Sequence, residues 1–277
     1  MNDKLANISI PVDLTNPGQF FACCGLLELG DRVSPGSEGW FDRSEFRLSC
    51  ESELRTLLAC LVLDPPLQRA FICDDLPVKP IIAPLTISFD GDATERLLLD
   101  FWAKTSTKSG KVEAIAAAPW NLWSGNQKSH AIWLKLRDEL RVLLAGDSIS
   151  GTQPSSDNEL ANLFQQTRAL TGRFGFDSTA AWNAQDVGFS PNDQDLAVES
   201  SPAIELLAAI GLQRFIPFVK NRVIRYQHWS LPAGPIIAAA LACGGIEHNG
   251  SRYEFEIVKR GQYSAFSTAH PLNGENN

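Results

Sequence analysis

A chain of 277 residues that is 44% hydrophobic and 20% charged has enough apolar material to bury a core and too little charge to stay disordered. Its 32 acids against 24 lysines and arginines, a formal net charge of -8, exclude a protein that coats nucleic acid by bulk charge, so anion binding must rest on local patches or on partners. Six cysteines and four histidines form no CxxC, HxH or HxxxH pair, which points to reduced thiols in a cytoplasm, no metal and no cofactor.

Residues 7–12 alternate like a first strand, and Asn16-Pro17-Gly18 then opens an apolar helix, FFACCGLLELG, that Gly30 is expected to stop. Asn16 and Gln19 stand at its N-terminus, where free backbone N–H groups attract anions. Trp40-Phe41 and Phe46-Arg47-Leu48 read as a hairpin, and an amphipathic helix is expected from about Glu51 to Val62, ended by Pro65-Pro66. Leu85 to Phe89 alternates as a strand, followed by an expected helix over 94–104.

The stretch 96–141 stands out. It holds four of the seven tryptophans and eight lysines or arginines against four acids. Aromatic planes beside cations stack bases and neutralise phosphates, and the amides of Asn126 and Gln127 suit base edges; the alternative is a tryptophan core under a solvated basic face. Within it TSTKSGK, 105–111, reads as a basic loop. It lacks the first glycine of a phosphate-binding loop and has Val112 where Ser or Thr should follow the lysine, which excludes that motif. The next helix carries Ile132, Trp133, Leu136, Leu140, Leu143 and Leu144 on one face.

Residues 146–158, GDSISGTQPSSDN, are the best linker candidate, dividing an N-terminal part, 1–145, from a C-terminal part, 159–277. A short helix over 159–170, a glycine-punctuated stretch over 172–177 and a helix opened by Ser201-Pro202 follow. Between Leu206 and Ile246 there are four cations, Arg214, Lys220, Arg222 and Arg225, and no acids. Residues 219–226 read as one strand that sets Lys220 and Arg222 on a common face. The most apolar stretch, Leu231 to Ile246, is too short to span a bilayer and is broken by Pro232 and Pro235.

Catalytic chemistry is hard to assemble from these residues. Cys23, Cys24 and Ser124 are the candidate nucleophiles, but no nucleophile elbow surrounds them. A metal-dependent nuclease built on Asp90, Asp92 and Asp100 is an alternative, against which the turn preference of Asp around Gly91 weighs.

Taken together, NPGQFFACCGLLELGDR, the WAK…PWNLWSGNQ segment, GRFGFDSTAAWNAQDVGFSPN with SPAIELLAAIGLQRF, and RGQYSAF near the C-terminus resemble a CRISPR-associated protein of type I-U (I-G) systems. The resemblance is to the smaller of the large-subunit-like proteins of their effector complexes. It implies a noncatalytic subunit of a Cascade-type surveillance complex, with target DNA, CRISPR RNA, the other Cascade subunits and the helicase-nuclease as partners. In related complexes the large subunit reads the protospacer-adjacent motif. The blocks point to Asn16, Gln19, Trp120, Gly125, Asn126, Gln127, Arg173, Asn183 and Arg214 as places of structural or DNA contact. Charge alone adds Lys104, Lys108, Lys111, Lys128, Lys220, Arg222 and Arg225. The expectation is thus an α+β protein, a mixed sheet with packed helices in one main body, that binds nucleic acid; a purely architectural subunit is the rival.

Overall fold

The computed structural model of the chain describes residues 5–73, 76–89, 96–123, 127–145, 160, 162–179, 198–260 and 263–272. In chain order the first part holds β1 (Ile8–Pro11), α1 (Pro17–Val33), β2 (Glu38–Asp42), β3 (Glu45–Ser49), α2 (Leu54–Leu63) and β4 (Leu67–Gln68). Then come β5 (Leu85–Ser88), β6 (Arg96–Leu99), β7 (Ala103–Lys108), β8 (Lys111–Ala116) and α3 (Ser129–Ala145). The second half holds β9 (Arg168–Leu170), β10 (Val198–Ser200), α4 (Pro202–Arg214), β11 (Phe218–Lys220) and β12 (Val223–Gln227). It closes with α5 (Pro235–Ala242), β13 (Arg252–Arg260), β14 (Tyr263–Phe266) and β15 (His270–Leu272).

Two largely apolar helices organise the rest, because a helix with apolar residues on every side is stable only when covered all round. In α1 every residue from Pro17 to Gly30 is buried, and in α4 every residue from Pro202 to Leu212. Both start with the same local chemistry. Asn16 Oδ1 accepts the N–H groups of Gly18 and Gln19 ahead of Pro17, and Ser201 Oγ accepts that of Ile204 ahead of Pro202. The helices cross where Gly25 meets the Leu207 carbonyl and Gly211 meets that of Phe21.

Small antiparallel sheets wrap this pair. β1-β3-β2 turns Ile8, Ile10, Phe46 and Leu48 inward, and β4-β5-β6 turns in Leu85, Ile87, Leu97 and Leu99. A larger sheet, β11-β12-β13-β14 with β15 beside β13, covers α1 with Tyr226, whose ring stacks on Phe20 at 4.4 Å between centroids. Its hydroxyl donates to the Leu14 carbonyl. Helix α3 buries Ile132, Trp133, Leu136 and Leu140 against the same core. The first and second halves therefore share one hydrophobic core; the candidate linker at 146–158 lies outside the described residues.

The α+β class holds, with corrections of detail. Every described strand pairing is antiparallel, so the sheets are not mixed. Helix α1 runs three residues past Gly30, which packs on Leu48 inside the helix. Over its described residues, 96–104, the expected helix at 94–104 is strand β6 and the start of β7, because Leu97 and Leu99 alternate inward opposite Ile87 and Leu85. Of the expected helix at 159–170, residues 162–170 form instead a short 3-10 turn, Leu163–Gln165, and β9. Residues 219–226 form a hairpin, with Asn221 and Arg222 both at positive φ in the turn. No helix among the described residues is long and apolar enough to cross a membrane.

His228, next after β12, gives the fold a titrating contact. Its amide and its ring Nδ1 both meet the Ser251 carbonyl at 3.2 Å. Burial, reinforced by nearby His248, holds the imidazole below its usual range against the opposing pull of that carbonyl. The unfolded chain therefore takes up the proton first. The stability this group contributes is complete above about pH 6.5 and is lost as pH falls through the lower folded value. Thermal unfolding at about pH 7.5 and about pH 5.5 is expected to show a smaller acid loss for His228→Gln than for the parent chain. Equal losses would refute the assignment.

Candidate nucleic-acid interface

The basic segment at 104–111 is an ordered hairpin, not a loop. Strands β7 and β8 pair from Ala103↔Ala116 to Lys108↔Lys111, joined by Ser109-Gly110, both at positive φ. Two positive-φ residues in a two-residue loop match the twist of the flanking strands, which is why the chain reverses here without a longer connection. Side chains directly opposite one another share a face. Lys104, Ser106 and Lys108 of β7 therefore stand with Lys111, Glu113 and Ile115 of β8, three lysines against one carboxylate. The opposite face, Thr105, Thr107, Val112 and Ala114, carries no charge.

Nearly all of this arm lies open to solvent, and its base is held in the core by Trp102, Ala103 and Ala117, the last donating its N–H to the Trp102 carbonyl. At the tip Lys108 and Lys111 face each other across the strands. Like charges in such a pair repel, and an anion placed between them removes the repulsion. A two-stranded ribbon also fits the major groove of a DNA duplex, with phosphates on either side.

The second basic segment is divided. Lys220 and Arg222 are exposed at the β11–β12 turn, whereas Arg225 is bound to Glu254 on β13 at 3.1 Å. Lys220 does not share a strand face with Arg222, which belongs to the turn.

Several residues offered to nucleic acid by the sequence have structural partners instead. Asn16 is buried: besides capping α1 it donates to Asp177 Oδ1 at 3.0 Å. Gln19 is buried and accepts the N–H of Asp13 at 2.8 Å. Trp120 is buried edge-on to Phe266, and Trp102, Trp123 and Trp133 are core as well. Arg173 is buried in the field of Glu205. Arg214 clamps buried Glu28 with two nitrogens, and Glu28 also accepts from Arg32. Asn16, Gln19, Trp120, Arg173 and Arg214 thus have roles in the scaffold. Gln127 donates to the Thr171 carbonyl at 3.2 Å, and Lys128 is exposed next to it. Asn126, Gly125 and Asn183 lie outside the described residues.

The scaffold contact with most chemistry is Glu205, on the first turn of α4. Its two carboxylate oxygens accept four successive backbone N–H groups, from Phe174, Gly175, Phe176 and Asp177, at 2.8 to 3.1 Å. Burial pushes this carboxyl up, with Asp177 adding to the effect, while the N–H groups and Arg173 oppose it. Asp177 in turn accepts from Asn16, Thr179 and Ser201. The glycine-punctuated stretch is thus fixed to both central helices.

Reactive chemistry is sparse among the described residues. Burial raises the Cys23 and Cys24 thiols well above their usual range, away from the thiolate a nucleophile needs. The rings of His130, His228 and His248 each meet a backbone carbonyl. Asp100 accepts from Gln213 at 3.0 Å, and Asp90 and Asp92 lie outside the described residues. No group of three metal-ligating side chains occurs among the described residues.

Sequence reasoning passed over Arg252, Gln227 and Phe218, which meet at a cleft on the outer face of the large sheet. Only a cross-strand register places Gln227 opposite Arg252, and no local pattern announces it. No family model, curated protein or solved structure matches the chain.

Proposed function

We propose that this chain is a noncatalytic subunit of a type I-U CRISPR effector complex that contacts target DNA through the β7–β8 arm. The observation carrying this reading is the exposed hairpin with Lys104, Lys108 and Lys111 on one face and two of them opposed at its tip. The family resemblance of the sequence blocks supports the setting, in which CRISPR RNA, the other Cascade subunits and the helicase-nuclease are the partners. Base pairing to the guide supplies most of the sequence information in such a complex. A protein arm then needs only backbone contacts and a few base contacts, at a protospacer-adjacent motif or beside it.

The test is a fluorescence-anisotropy titration with duplex and single-stranded DNA over a salt series, on the chain alone and on the complex containing it. Each phosphate neutralised contributes about 0.9 to the slope of log affinity against log salt. Replacing Lys104, Lys108 and Lys111 together by Glu is expected to flatten that slope by about 2 to 3 and to leave circular dichroism unchanged. Unchanged affinity and slope in both settings would overturn the role of the arm.

One observation favours an architectural reading beside it. On α5, Ile236 is 73% exposed and Ile237 54%, next to Leu231 at 68%, and apolar side chains gathered at a surface mark docking sites. Ile236→Asp with Ile237→Asp is expected to weaken assembly with the other subunits while leaving the salt slope of DNA binding in place. Loss of DNA binding by the isolated chain, or intact assembly, would contradict that division of labour.

A further inference from the structure

The outer face of the large sheet forms, with the C-terminal end of α5, a cleft of about 250 Å³ lined by Phe218, Arg225, Gln227, Ala242, Gly244 and Arg252. It stands on a different sheet from the β7–β8 arm and does not rest on it.

The cleft is built around two held guanidinium groups. Gln227 is buried, and its amide is oriented by donating to the carbonyls of His248 at 2.9 Å and Gly250 at 2.8 Å. That orientation turns Oε1 toward Arg252, its cross-strand neighbour, which donates Nε at 3.3 Å. The two terminal nitrogens of Arg252 have no partner among the described residues. They form the fork that binds an oxyanion through two parallel hydrogen bonds. Arg225 gives Nε and one terminal nitrogen to the same oxygen of Glu254, at 3.2 and 3.1 Å, which leaves its other terminal nitrogen.

Beside the two arginines stands Phe218, 55% exposed and directly opposite Arg225 across the ladder. A bare phosphate has no use for an exposed ring, whereas a ligand with a planar base and a phosphate engages both. The volume sits just below the roughly 300 Å³ at which small-molecule sites usually begin, which limits the occupant to one nucleotide.

We propose that this cleft binds a nucleoside 5′-monophosphate, free or as the 5′ end of a strand, with its phosphate on Arg252 and Arg225 and its base against Phe218. Calorimetric titration of the full chain with adenosine 5′-monophosphate is expected to saturate. Adenosine and inorganic phosphate alone are each expected to bind about tenfold more weakly or worse. Arg252→Gln and Phe218→Ala, both at exposed positions, are each expected to lose about tenfold in affinity with circular dichroism unchanged. The triple lysine variant of the arm keeps this binding, so failure of one site is distinguishable from failure of the other.

Competition by a 5′-phosphorylated oligothymidine, set against its unphosphorylated form, separates the two sources. A clear advantage of the phosphorylated strand assigns a strand end, and its absence assigns the free nucleotide. The proposal is overturned if neither the mononucleotide nor the phosphorylated strand saturates, or if Arg252→Gln binds as the parent does.

Discussion

Glu205→Ala is expected to lower the free energy of unfolding by about 3–5 kcal/mol, read as a fall in the urea midpoint at unchanged slope. The side chain is fully buried and its oxygens accept four consecutive N–H groups of residues 174–177. Removing it leaves four buried donors unsatisfied, each worth about 1–3 kcal/mol in isolation, and leaves Arg173 without the charge beside it. Relief of the repulsion from Asp177 and entry of water into the vacated space return part of that sum. Glu205→Gln is expected to rescue little: the amide keeps one acceptor oxygen but aims an NH₂ group at donors. A variant Glu205→Ala within about 1 kcal/mol of the parent would show that the 174–177 stretch is held by its aromatic packing alone.

The second large effect is expected where the central helices cross. On an exposed helix, Gly→Ala stabilises by about 1 kcal/mol. At Gly25 a Cβ would lie 1.8 Å from the Leu207 carbonyl oxygen, and at Gly211 it would lie 2.1 Å from that of Phe21. Both obstacles are backbone, so a side-chain rotation cannot clear them and the helices must part. Gly25→Ala and Gly211→Ala are each expected to destabilise by about 2–3 kcal/mol, a reversal of sign that isolates the crossing from helix propensity. Once one substitution has separated the helices, the second meets less resistance. The double variant is therefore expected to lose less than the two single losses added together. Simple additivity in chemical denaturation would mean that the glycines act independently.

The elements legible in the sequence are those whose signals are local. Asn16-Pro17 and Ser201-Pro202 announce their helices by capping chemistry, and the apolar stripe of α3 needs only its period. The β7–β8 arm reads as a loop in the sequence because neither of its faces is buried, so TSTKSGK has no alternation to display. Residues 94–104 misled for the opposite reason: a run of three leucines hides which of them point inward until β5 supplies the partner. At the β11–β12 turn the second positive-φ residue is Arg222, where glycine is the usual sign of a reversal. The lysines of the arm were found by charge, since exposure and charge travel together. The scaffold roles of Asn16, Arg173 and Arg214 are hidden in the sequence because their partners are distant in the chain, as with Asn16 and Asp177, 161 positions apart. Gln19 has its partner Asp13 only six positions away, but a polar residue reads as available until its partner is seen.

The pairing of α1 with α4 also has a consequence for synthesis. Arg214 follows Glu28, its ion-pair partner, by 186 residues, and the helix bearing Glu28 is buried on all sides from Pro17 to Gly30. At about 5–20 residues per second, roughly 10 to 40 s pass between the emergence of the two from the ribosome. During that interval the face of α1 that α4 covers stays open on the nascent chain, a demand on chaperones set by the order of its parts rather than by its final stability.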